Sequence, residues 1–115
     1  GEVVAAGKTE TAVTKFSSSF APTWTYRFPS TGPALTVGSI YAVFISTGAT
    51  PQLNWSPKAP TPLILSFDSK GSIIAADSGP VGQRDVIGAL LSKELGVLVV
   101  TSSAESVSIF TLIPR

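Results

Sequence analysis

Turn signals interrupt this chain roughly every eight to twelve residues, a spacing that leaves room for short strands and little else. The breaks are Ser17-Ser18-Ser19, Pro29 to Pro33, Gly48 to Pro51, Asp68 to Gly71, Asp77 to Pro80 and Ser102 to Ser106. Gly supplies left-handed backbone at such points, Pro presets φ, and Asp and Ser bond the nearby backbone. The runs between them are rich in Val, Ile, Thr, Phe and Tyr, which suit a pleated, half-buried surface. The pattern predicts an all-β fold. It reads as an antiparallel β-sandwich or jelly-roll-like domain of seven to nine short strands with at most one short helix.

Thr23 to Phe28 alternates most cleanly, with Trp24, Tyr26 and Phe28 on one face and Thr23, Thr25 and Arg27 on the other. Pro29 to Pro33 then reads as a loop before Ala34 to Val37. In Ser39 to Thr47 both faces are apolar: Tyr41, Val43 and Ile45 against Ile40, Ala42 and Phe44. That pattern predicts a central strand covered on both sides. Leu63 to Phe67 and Ser72 to Ala76 flank Asp68-Ser69-Lys70-Gly71 and predict a hairpin. Arg84 to Leu95 carries Val86, Ile87, Leu90, Leu91 and Leu95 at helical spacing, with Gly96 at the position of a left-handed cap. It is therefore predicted as the one helix, over about residues 84–95. Val97 to Thr101 and Val107 to Ile113 are expected to pair as a terminal hairpin, and Glu2 to Ala6 and Thr11 to Phe16 are candidate first strands. The 115 residues are expected to form a single β domain excised from a longer chain, with residues 1–10 a candidate linker.

Composition narrows the chemistry. Without His or Cys the chain cannot build a Ser-His-Asp triad, a cysteine nucleophile or an ordinary zinc site. The seven carboxylates, Glu2, Glu10, Asp68, Asp77, Asp85, Glu94 and Glu105, are dispersed and fall mostly at turns. No calcium-binding acidic motif is visible, and Gly79-Pro80-Val81-Gly82 lacks the Gly-Lys-Ser/Thr of a phosphate loop. The expectation is a protein that is not an enzyme and needs no cofactor. A net charge of +1 with scattered Lys and Arg offers no field for nucleic acid. No apolar stretch approaches the ~20 residues of a helical membrane span. Charged residues are only 13% of the chain, and Ser and Thr together number 28, so hydroxyls do much of the work of the surface.

Trp24, Tyr26 and Phe28 read as the inward face of a core strand, with a sugar-stacking platform as the alternative. Ser56 to Pro62 holds three prolines and must lie at an edge or in a loop. Trp55, beside it, is either an interface anchor or a lid over the core. The candidate interface or ligand-contact residues are Trp55, Pro57, Lys58, Tyr26 and Arg27. Asn54-Trp55-Ser56 matches a glycosylation sequon but reads as a chance match.

A Ser/Thr-rich β domain of this length, free of His and Cys, starting at Gly1-Glu2-Val3 and ending on Ile109-Phe110-Thr111-Leu112-Ile113, resembles a viral protruding domain. The likeness is to the capsid proteins of small icosahedral RNA viruses, nodavirus-like (above all the crustacean group) or tombusvirus-like. It extends over the whole chain in character and rests on no diagnostic motif. The resemblance implies a module on the virion surface that forms dimeric spikes and attaches to a host-surface receptor or glycan. It also implies that calcium binding near a linker occurs in some members, but no ligands carry over to this sequence. A carbohydrate-binding or adhesin-type sandwich, and a structural module of a phage or surface-layer protein, are the alternatives.

Overall fold

The computed structural model describes residues 2–4, 10–38, 41–50 and 53–113. Nine strands follow in order: β1 (Glu2–Val4), β2 (Glu10–Phe16), β3 (Pro22–Val37), β4 (Tyr41–Ser46), β5 (Thr61–Phe67), β6 (Ile73–Ser78), β7 (Asp85–Ser92), β8 (Gly96–Ser102) and β9 (Val107–Leu112). All pairings are antiparallel. Six strands form one sheet in the order β1-β2-β3-β4-β5-β6, and three form a second in the order β7-β8-β9. The all-β sandwich predicted from the turn rhythm is the fold observed.

The centre of the molecule is β4 and β5. Every residue of β5 is buried, and so is all of β4 after Tyr41. Alternation sends Phe44, Leu63, Leu65 and Phe67 to one core, with Val13, Phe28 and Ala34. Val43, Ile45 and Ile64 go to a second core, with Val86, Val97, Val99 and Leu112. Each large apolar side chain so buried contributes about 1.5–3 kcal/mol. The expectation of a central strand with two apolar faces is met, and the faces serve two separate cores.

The first core closes because the six-stranded sheet folds over itself at β3. Trp24 stacks on Phe67 with ring centroids 5.0 Å apart, and Phe28 stacks on Phe44 at the same distance. In the ladder β5 pairs with β4, and Tyr41, opposite Ser66, pairs with Val37, thirteen residues along β3 from Trp24. Contact between Trp24 and Phe67 therefore requires the early half of β3 to lie across the face of β5.

Two predicted elements are corrected. Pro29 to Pro33 is not a loop but the corner inside β3. The register with β4 slips between Thr31 and Leu35, because proline cannot donate to a ladder and the pairing must skip there. The hydroxyls of Thr11 and Ser30, 2.6 Å apart and buried, pin this bend. Residues 84–95 are not a helix. Asp85–Ser92 is strand β7, bulged between Val86 and Gly88. The extra residue, Ile87, lets Val86 and Ala89 both face inward, opposite Thr101 and Val99. A bulged strand thus reproduces the three-to-four-residue spacing of a helix. Gly96 does take a left-handed φ of 92°, but to close the turn from β7 to β8, with Ser92 opposite it.

The Asp68 hairpin is as predicted. Asp68 Oδ1 accepts from the Lys70 and Ser72 N–H groups, each at 2.9 Å, and Gly71 has φ 90°. The terminal hairpin forms as β8 and β9, with Val97 opposite Leu112. Behind it the Thr101 hydroxyl donates to Gln83 Oε1 at 2.7 Å, satisfying two buried polar groups.

The β7–β8 hairpin can be tested at its glycines. A Cβ on Gly96 would sit 2.9 Å from the Leu112 carbonyl oxygen, whereas one on Gly88 would meet nothing within 4 Å. Gly96→Ala is expected to cost about 2–4 kcal/mol from left-handed strain and crowding. Gly88→Ala should leave stability unchanged or raise it by up to about 1 kcal/mol. Urea denaturation of both variants gives the comparison.

Candidate functional site: the outer face of the three-stranded sheet

The inner face of β7-β8-β9 covers the second core, and its outer face is also apolar. Opposed residues share a face, so the register defines cross-strand rows. One outer row is Gly88–Val100–Ile109, the next is Leu90–Leu98–Thr111, and the last is Asp85–Ser102–Val107. Ile109 is 70% exposed, Leu90 64% and Val107 63%. Of the eleven large hydrophobic side chains exposed among the described residues, six lie on this face or its flanks, Ile87, Leu90, Leu95, Val107, Ile109 and Ile113, and a seventh, Leu91, lies opposite Val97 on the inner side of the edge strand. That concentration separates the face from the scattered exposure normal on any surface.

No charged residue stands in the two central rows. Charges are held to the rim: Asp85 in the last row, Lys93 and Glu94 in the β7–β8 turn, and Glu105 in the β8–β9 turn. An apolar centre inside a polar rim is the usual layout of a protein–protein contact. With three strands about 4.8 Å apart and about seven residues long, the flat footprint is on the order of 300–400 Å².

The residues singled out from sequence are not brought together. Tyr26 is half-buried in the first core, 5.8 Å from Phe67 and 6.1 Å from Phe28 between ring centroids. Arg27, on the opposite side of β3, is exposed and bonds Glu10 Oε1 at 3.0 Å, a surface pair worth about 0–1 kcal/mol. Trp55 is half-buried and packs against the first core, its backbone bridged to Thr50. Pro57 is partly covered, and Lys58 is exposed in the loop before β5. That loop is tied down by the Pro60 carbonyl, which accepts from Gly82 N–H at 2.7 Å.

Two concavities lie elsewhere. A groove of about 360 Å³ opens beside the β2 end and is lined in part by Lys15, Phe16, Trp24, Tyr41 and Asp68. Trp24 is held there between the Phe67 ring and the backbone at Gly71, where a Cβ would come within 2.8 Å of the indole, so its faces are occupied. A shallower cleft of about 330 Å³ is lined by Leu53, Trp55, Leu63, Ala76, Asp77 and Ser78. Both Asp77 carboxylate oxygens are engaged, by the N–H groups of Ser78 and Ile113. No group of three or more acidic residues that could hold a metal occurs among the described residues.

Sequence reasoning missed the outer face because it took Leu90 for part of one side of a helix. A signal was present: Val97-Leu98-Val99-Val100 is apolar at both parities, as a strand covered on both sides would be. Phe20 was also missed. It is 85% exposed at the β2–β3 turn with φ 63°, a left-handed conformation unusual for a bulky side chain.

The arrangement defines an all-β module whose most developed surface feature is a sheet face with apolar, uncharged central rows. Comparison with known protein families, curated proteins and solved structures finds no match to this chain.

The face is expected to be dispensable for folding. Ile109→Thr should shift the unfolding free energy by no more than about 0.5 kcal/mol. Leu65→Ala, at a fully buried position, should cost about 2–5 kcal/mol. Thermal and urea denaturation at low protein concentration distinguish the two.

Proposed function

We propose that this domain is a non-catalytic protruding domain of a small icosahedral RNA virus capsid protein, set on the virion surface. In this reading it pairs with a second copy through the outer face of β7-β8-β9 and presents its remaining surface for host attachment. The observation that carries the reading is the uncharged apolar face, which a lone domain has no reason to keep exposed. The surface chemistry agrees with it. The chain's net charge of +1 sets up little long-range repulsion between copies, and the central rows hold no charge to desolvate. The footprint is smaller than the ~800 Å² per partner of a standard interface, so the dimer is weak and concentration-dependent.

Sedimentation equilibrium over a wide concentration range tests this reading. The expected result is a monomer–dimer equilibrium that Ile109→Lys or Leu90→Lys shifts to monomer without loss of fold. A strict monomer at the highest concentrations would remove the basis for the spike reading.

The cleft beside Trp55 favours a second reading, a carbohydrate-binding or adhesin-type module. A half-buried indole flanked by Leu53 and by the Asp77 and Ser78 edge offers an aromatic body next to polar groups. Titration with soluble polysaccharides should then change tryptophan fluorescence, and Trp55→Ala should abolish the change. An unchanged spectrum across a glycan panel would count against it.

A further inference from the structure

The outer rows are not evenly filled, and their unevenness is self-complementary. In the row Gly88–Val100–Ile109 the β7 position has no side chain and open space above it, while the β9 position carries a large, 70% exposed one. In the neighbouring row Leu90–Leu98–Thr111 the order is reversed, with the large, exposed residue on β7 and the small one on β9.

Consider two copies stacked face to face about a twofold axis that runs parallel to β8 in the plane between the sheets. The rotation keeps each row level with itself and exchanges its two ends. Ile109 of each copy then lies over Gly88 of the other, and Leu90 over Thr111. Val100 and Leu98 meet their own symmetry mates at the centre. The two large end residues, Ile109 and Leu90, each face a small one. This is how stacked sheets interdigitate at about 10 Å separation with strands roughly aligned. A contact of this kind is isologous and closes at two copies. The alternative twofold, perpendicular to the strands and midway between the two rows, sets Leu90 over Gly88 and Ile109 over Thr111 and so also matches sizes, but only the first geometry places Ile109 over Gly88, and the exchange of those two side chains below separates the two.

The geometry points to this arrangement: a homodimer in which Ile109 fills the hollow at Gly88 of the second copy. The inference rests on the dimer reading above and adds its symmetry and the residues that set it.

A swap of side chains tests it. Gly88→Ile fills the hollow from its own side and is expected to weaken dimerisation about tenfold or more. Ile109→Ala removes the knob and should weaken it by a similar factor. The double variant Gly88→Ile/Ile109→Ala moves the knob to the other end of the row and should recover most of the loss. Gly88 has open space above it, so the first variant keeps the fold, which circular dichroism and urea denaturation verify. Recovery in the double variant supports the inference. Additive loss, or a dimer indifferent to Gly88→Ile, overturns this geometry while leaving a dimer in place. A wild-type chain that stays monomeric overturns both this inference and the reading beneath it.

Discussion

Burial of β4 and β5 on both faces is the constraint on which the rest of the molecule depends. A strand pair with Phe44, Leu63 and Leu65 on one side and Val43, Ile45 and Ile64 on the other needs two covers. The early half of β3, with β2, supplies one, and β7-β8-β9 supplies the other. Neither cover could be omitted without exposing a set of large apolar side chains to water, each worth about 1.5–3 kcal/mol when buried.

The two covers are obtained in different ways. The first is made by bending a sheet over itself. That requires a corner where the ladder can be broken cheaply, and the Pro29 to Pro33 segment of β3 is such a place, because a proline has no N–H to lose. The second is an independent three-stranded sheet laid on from outside. Such a sheet has an outer face of its own, and here that face is apolar. Val97 and Val99 point inward to the second core, while Leu98 and Val100 point outward beneath Leu90 and Ile109. The same surplus of apolar residues that lets β8 seal the core leaves the opposite side in want of a partner.

The aromatic residues show why exposure cannot be read from residue type. Trp24 and Tyr26 alternate with polar neighbours and could equally have faced solvent, but the fold of β3 over β5 wedges them against Phe67. Trp55, next to the prolines, is drawn half into the first core by its bridge to Thr50. Ile109 and Leu90 have no neighbours that mark them as exposed, and they are the surface residues that matter most to the proposed contact.

Local chemistry alone determined a good deal about this protein. Turn residues set where most strands end, alternation set the apolar side of early β3 and marked β4 as apolar on both sides, and Asp68 with Gly71 specified a hairpin, because each is decided within a few bonds of the residue itself. The lack of His and Cys narrowed the chemistry before any fold was known. Only the tertiary structure decided that residues 85–92 are a bulged strand, since helix and bulged strand share a spacing and the pairing with β8 arbitrates between them. It likewise turned a proline segment into a corner instead of a loop. It also left one apolar face of β7-β8-β9 outside, because which face of a strand meets water depends on what the rest of the chain brings to cover it.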